Sequence, residues 1–241
     1  MTLAQFRACV AAYMQRSETS FTYGTVNLLT QAANMARKWA ERERNFEMCK
    51  TTAQITSVSL TSGALLSSMV ARGTTTPLAV KSINKAFLSL SGGIGEFPIS
   101  MISRETHVER LARHFDQVRN VSDTSKMCNR TNLMNYFTLV RHGDYIYITP
   151  ADPVALGGDN VIVYFDVVKW LPDYVADGDT DFLLTYCEDF MLFKTVQMLN
   201  FMIKEDQRVP ISDKMLAESY KSVVSWDSTM IANTVDDVNL D

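Results

Sequence analysis

The chain has 241 residues, of which 46% are hydrophobic and 21% charged, and its formal net charge is −4. A chain of this length can bury roughly three quarters of its unfolded surface, in one large domain or two small ones. The acidic balance argues against a general nucleic-acid-binding protein, which would grip phosphates with basic residues. The acidic balance is compatible with a surface along which DNA passes without being bound. We expect no secretory signal and no membrane span, because no uninterrupted apolar run reaches about 18 residues.

The first 50 residues are expected to be mainly helical. Thr2 is a suitable N-cap, and apolar residues recur at helical spacing from Leu3 to Tyr13, which predicts a helix over residues 2–16. A second helix is predicted from about Tyr23 to Glu47. Its second half carries a run of charged residues that we interpret as a solvated helix face, namely Arg37, Lys38, Glu41, Arg42, Glu43 and Arg44.

The middle of the chain is predicted to be rich in β-structure. From Thr51 the spacing of apolar residues changes from helical to alternating, which predicts a strand. Residues 61–100 are weakly patterned and contain one predicted strand at Ala86–Leu90, and a third helix is predicted over Glu105–Arg119. Three further β-segments are predicted at Asn135–Val140, Tyr145–Thr149 and Val161–Val168.

The last third of the chain contains an unusually apolar helix. Thr180 or Asp181 is placed to cap a helix over Phe182–Lys204, whose apolar residues lie on more than one face. Such a helix needs several partners, and we expect some of them to belong to other subunits. A central helix in a monomeric bundle is an equally good interpretation. The candidate subunit-interface residues are Phe182, Tyr186, Phe190, Phe193, Met198 and Trp226.

A second C-terminal helix is predicted over Ile211–Trp226, followed by a polar and acidic tail at residues 229–241. Terminal segments of this kind are disordered unless they dock on something. The tail contains spaced apolar residues, which predicts an arm that becomes ordered on a partner. The candidate arm residues are Met230, Ile231, Val235, Val238 and Leu240.

This order of helices and strands favours an α+β fold over repeating βαβ units. We predict a helical bundle formed by the N- and C-terminal helices, with an inserted β-rich subdomain or long hairpin. The bundle would comprise residues 1–50 and 177–228, and the insertion, with one helix, residues 51–176. The arm would comprise residues 229–241, and all three parts would form a single domain over 1–241.

The sequence contains no motif that indicates catalysis or a metal site. Asp177, Asp179, Asp181 and Glu188 have the spacing of a calcium loop, but Phe182 stands where that loop needs glycine, so a turn and helix cap is favoured. The four cysteines are scattered and are expected to be reduced thiols. We therefore expect no enzyme activity, no cofactor and no metal.

Five segments in the second half of the chain form a recognisable pattern, namely Tyr145–Pro150, Val161–Phe165, Trp170–Asp173, Asp179–Leu184 and Tyr186–Phe193. Together they resemble the head-to-tail adaptor, or connector, proteins of bacteriophages. The opening Met1–Arg7 is also similar to the first helix of these proteins. The likeness covers about half of the chain and departs from the family pattern at Asp181 and Glu188, where that pattern has Asn and Pro.

The resemblance implies a structural virion protein that forms a ring, usually of twelve copies, under the portal of the phage head. It implies as partners a second copy of the chain, the portal protein and tail or nozzle proteins, with genomic DNA passing through the lumen and no membrane. It also implies that C-terminal segments grip the portal. The alternative that remains open is a non-enzymatic binding module of another phage or bacterial complex.

Overall fold

The structure is a computed structural model, and the residues it describes are 1–56, 63–89, 96–102, 106, 138–149, 162–203 and 213–237. The chain divides into two units. The helical unit comprises Met1–Met48 and Pro172–Asp241, and the sheet unit comprises Cys49–Leu171. The predicted third helix at 105–119 lies outside the described residues, apart from position 106.

The helical unit contains five described helices. They are α1 (Leu3–Tyr13), α2 (Leu28–Glu43), α3 (Phe182–Tyr186), α4 (Glu188–Met202) and α5 (Asp213–Asp237). A single 3₁₀ turn at Glu18–Phe21 and a small hairpin, β1 (Thr22–Tyr23) and β2 (Val26–Asn27), connect α1 to α2.

Local capping explains where three of these helices begin. Thr2 and Gln5 form a capping box at α1, and the Asn27 side chain accepts from the Thr30 amide at the start of α2. Of the two predicted caps, Thr180 and Asp181, the structure shows Asp181, whose Oδ1 accepts from the amide of Leu184 at 3.0 Å. Each cap satisfies a backbone N–H that has no partner within its helix.

The predicted helix over residues 182–204 is interrupted. Cys187 has a non-helical backbone (φ −128°, ψ 38°) and serves both as the C-cap of α3 and as the N-cap of α4. The apolar spacing continues through this point, so periodicity could not reveal the break. The helix predicted over Ile211–Trp226 is observed as α5, which continues past the predicted end to Asp237.

The sheet unit is built on one eight-stranded sheet. Its strands are β3 (Lys50–Thr56), β4 (Ala64–Leu65), β5 (Val70–Ala71), β6 (Val80–Ser89), β7 (Glu96–Ile102), β8 (Thr138–His142), β9 (Tyr145–Thr149) and β10 (Ile162–Lys169). The order across the sheet is β4-β9-β8-β7-β6-β10-β3-β5. Neighbouring strands are antiparallel except for β7 and β8, which are parallel.

In the core of the sheet unit, a large residue on one strand lies beside small residues on the neighbouring strands. Phe165 of β10 is fully buried, and its partners on the two flanking strands are the small residues Ala53 and Ala86. The register between β10 and β6 shifts between Asp166 and Val167, where Asn84 of β6 has no partner on β10, whereas the pairing of β10 with β3 is regular. Val167 and Val168 are both buried.

The predicted fold class is wrong. We expected a helical bundle with an inserted β-rich subdomain or long hairpin, whereas the protein is mostly a large, curled, mixed eight-stranded sheet with few helices. The prediction failed in residues 61–100. There β4 and β5 have two residues each, too few to show alternation, and β6 is ten residues long where only Ala86–Leu90 was predicted.

Candidate functional site

An aromatic stack lies in the helical unit. Trp226 of α5 stacks on Phe182 (ring centroids 5.5 Å apart, planes at 8°) and on Tyr186 (5.1 Å, 19°), both of α3. Phe46 meets Phe182 edge to face at 5.2 Å. The stack therefore runs from the interior, where Phe46 and Phe182 are buried, to the surface, where Tyr186 is 59% exposed.

The six candidate interface residues occupy different depths. Phe182 and Phe190 are buried by the chain itself, so they belong to its core and offer no surface to a neighbour. Phe193, Met198 and Trp226 are half-buried. Within residues 190–200 no side chain is exposed, and Leu192, Phe193 and Met198 are half-buried.

The exposed apolar surface of the helical unit lies elsewhere. Phe201, in the last turn of α4, is 80% exposed, and Tyr23 and Val175 are similarly open. Phe201 is not among the interface residues predicted from the sequence. Of the arm candidates, Met230 is half-buried and Ile231 is 38% exposed. The structure does not describe the side chain of Val235, and Val238 and Leu240 lie outside the described residues.

A second aromatic cluster surrounds a buried lysine. Trp39, Phe190 and Tyr220 lie with ring centroids 5.3–6.0 Å apart, and the Nζ atom of Lys194 is 4.0 Å from the centroid of Trp39. Lys194 also donates to Gln197 at 2.9 Å. Burial lowers the pKa of Lys194, and the carboxylate of Glu43 partly opposes this shift. The contacts of this cation with a ring and an amide oxygen help to offset its desolvation.

A network of charged groups joins α2 to the segment before α3. Arg37 is fully buried and donates to the carbonyl of Pro172 and to Asp173, while its Nε lies 3.8 Å from Oε2 of the buried Glu41. Its guanidinium also lies over the ring of Tyr174, 5.0 Å from the centroid. The interpretation of this charge run as a solvated face is therefore wrong for Arg37 and Glu41.

The same segment is held at two further points. Asn34 donates to the carbonyl of Tyr174 at 3.0 Å and accepts from its amide at 2.8 Å. The hydroxyl of Tyr174 donates to Asp181 at 2.6 Å. Burial raises the pKa of Tyr174, and the neighbouring Asp181 carboxylate adds to the shift. Residues 172–181 are thus fixed to α2 by directional contacts, which makes this segment part of the scaffold.

The carboxylates with calcium-loop spacing have structural roles. Asp177 accepts from Arg7 at 2.7 Å, Asp179 accepts from the amides of Val175 and Ala176, and Asp181 caps α3. The two amide hydrogen bonds lower the pKa of Asp179. These contacts agree with the interpretation of the segment as a turn and helix cap.

Asp227 is another buried charged residue of the helical unit. It lies on α5, is fully buried, and accepts from Nε of Arg44 at 2.6 Å and from the amide of Glu47 at 2.7 Å. Nη2 of Arg44 also lies 3.4 Å from Oγ of the adjacent Ser228. The contact therefore joins the end of α2 to the middle of α5. No local pattern in the sequence indicates this role of Asp227.

We expect Lys38→Met to raise the pKa of Asp173. The Lys38 ammonium, hydrogen-bonded to Oδ2 at 2.8 Å, lowers this pKa, with Arg37 contributing and burial opposing. Because the folded-state pKa is lowered, the stabilisation from Asp173 is present above its ordinary pKa and is lost as the pH falls through the folded value. NMR titration of the carboxyl carbon should show a higher midpoint in the variant. Lys214→Met, which removes the exposed partner of Glu218 on α5, should leave the Asp173 midpoint unchanged.

The contacts described above hold the elements of the helical unit together. The charged side chains contact each other, backbone groups, a ring or a side-chain amide, and the aromatic rings pack on one another. Among the described residues, no group of three or more His, Cys, Asp or Glu side chains could hold a metal ion. Within the part of the chain that the structure describes, no helix has both the length and the hydrophobicity that a membrane crossing needs. A scan of the chain against protein-family models finds no match, and a search of curated proteins likewise returns none.

Proposed function

We propose that this chain is a structural virion protein, a head-to-tail adaptor that forms a twelve-membered ring between portal and tail and lines the DNA exit channel. The proposal begins from the resemblance of the segments within 145–193 to phage adaptor proteins. The formal net charge of −4 is compatible with a channel wall to which DNA does not adhere.

The observation that carries the proposal is the form of α5. Asp227 is the last residue of α5 known to be buried, and the helix continues beyond it for ten residues, from 228 to 237. Ser228, Thr229 and Ile231 in this extension are exposed. An exposed apolar side chain on the surface of such a helix is suited to contact a second protein.

Contacts between copies are expected at other exposed apolar side chains. Tyr186 ends the aromatic stack at the surface, and Phe201 exposes most of its ring at the end of α4. Aromatic residues are enriched at the buried centres of protein interfaces, where a large rigid ring adds contact area at little cost in entropy. These two side chains are the surface through which we expect neighbouring subunits to meet.

Mass measurement with and without the portal protein of the same virus tests the proposal. We expect the chain to join the portal in twelve copies and expect Ile231→Asp to weaken this binding by roughly tenfold or more, because burying an isoleucine contributes about 1.5–3 kcal/mol. The control is Ser222→Asp, which adds the same charge at an exposed position of α5 before Asp227. A chain that stays monomeric with the portal would contradict the proposal.

A further inference from the structure

The α5 helix is attached to the helical unit along a narrow stripe. Among the described side chains of α5, from 213 to 231, Val223 and Asp227 are the buried ones. Tyr220 and Trp226 add ring contacts on the same side. A helix held by one stripe can in principle slide along its axis by a turn, unless a contact in that stripe discriminates between positions.

At the place that Asp227 occupies, hydrophobicity alone does not choose the position of α5. One turn before Asp227 the chain has Val223 and Val224, and one turn after it has Met230 and Ile231. Either pair would supply apolar side chains at that place. Ring stacking also favours the observed position, because a shift by one turn, about 5.4 Å, would take Trp226 off Phe182 and Tyr186.

The carboxylate of Asp227 can keep both of its hydrogen bonds at one position of α5 alone. Its two oxygens accept from two different donors, Oδ2 from Arg44 at 2.6 Å and Oδ1 from the amide of Glu47 at 2.7 Å. A shift by one turn would place an apolar side chain against both donors and would move the carboxylate away from them. Burying a charge without such partners is strongly unfavourable, whereas an apolar side chain carries no such penalty.

We propose that Asp227 is a positioning residue that fixes α5 in a single register on the helical unit and thereby sets the direction of residues 228–237. Fixing register is the best-attested role of a buried polar or charged group in a helix interface. The residue acts through Arg44 and the Glu47 amide, and its effect is carried along the continuous helix to residue 237. This role holds whether or not the chain forms a ring on a portal.

The first test measures the position of α5 in the full-length chain. Spin labels are attached through p-acetylphenylalanine at Arg42 and Ser225, which are exposed on α2 and α5. We expect one narrow distance in the unsubstituted chain. In the double variant Arg44→Met/Asp227→Leu, which replaces the charge pair by apolar groups, we expect a second population displaced by about 5 Å, one helical turn. A single unchanged distance in the folded double variant would overturn the proposal.

The second test does not depend on the double variant folding. Asp227→Asn keeps an oxygen that can accept from the Glu47 amide but removes the charge that Arg44 contacts. We expect hydrogen exchange in residues 221–231 to accelerate at least tenfold, while exchange in α1 stays within twofold of the unsubstituted chain. Equal acceleration in α1 and α5 would indicate general destabilisation and no positioning role. Unchanged exchange in α5 would also overturn the proposal.

Discussion

Replacing Arg37 by methionine is expected to lower the free energy of unfolding by about 3–5 kcal/mol. The side chain is fully buried, and its guanidinium donates to the Pro172 carbonyl and to Asp173 while lying beside the buried Glu41. Methionine preserves much of the volume but supplies none of these donors. The buried Glu41 carboxylate then loses the neighbouring cation, which is the main cause of the expected loss.

Urea unfolding monitored by circular dichroism measures this effect. The matched control is Lys38→Met, because Lys38 pairs with the same Asp173 but lies at the surface. An exposed ion pair contributes less than about 1 kcal/mol, so this variant should stay close to the unsubstituted chain. Equal losses of unfolding free energy in the two variants would contradict the prediction. They would show that the buried Arg37 stabilises the fold no more than the exposed Lys38 does. A third variant, Arg37→Met/Glu41→Leu, should recover part of the loss because no buried carboxylate remains.

Local signals in the sequence predicted those elements that are long and regular. Strand β9 was predicted with its observed bounds, and β10 within one residue at each end, because both carry strong runs of β-branched and aromatic residues. The β6 strand was mostly missed, since Lys81, Asn84 and Lys85 interrupt its apolar pattern. The parallel pairing of β7 with β8 joins segments about 40 residues apart, and no local pattern specifies such a contact.

The candidate site shows the same division between local and distant contacts. The Asp181 cap depends on residues within one turn, so the sequence predicted it. Asp173, which accepts from Arg37, is 136 residues away along the chain, and Arg44, which donates to Asp227, is 183 residues away. The charge run that contains Arg37 suggested exposure. One signal in the sequence could have indicated that Arg37 is buried. It lies four residues after Ala33, on the apolar stripe of α2. A buried arginine on such a stripe requires an acceptor from elsewhere in the fold.

Substitutions at the two ends of the aromatic stack should affect different properties. The buried end should affect the stability of the fold, and the exposed end should affect binding between copies. Phe182→Ala is expected to lower the free energy of unfolding by about 3–5 kcal/mol, because it empties a buried site between Phe46 and Trp226. Tyr186→Ala removes an exposed ring that contacts Trp226 on one face, so its cost should stay below about 1.5 kcal/mol.

Urea unfolding and mass measurement of the assembled state should then give opposite rankings for these two variants. The Phe182→Ala chain should unfold at much lower urea concentration yet, while folded, present the same Tyr186 surface to a neighbouring copy. The Tyr186→Ala chain should unfold nearly as the unsubstituted chain does but assemble less, if Tyr186 contacts a neighbour as proposed. Thr185→Ala, at an exposed position of the same helix, is the control for assembly. Normal assembly of Tyr186→Ala would remove this side chain from the proposed subunit contact and leave Phe201 as the remaining aromatic candidate.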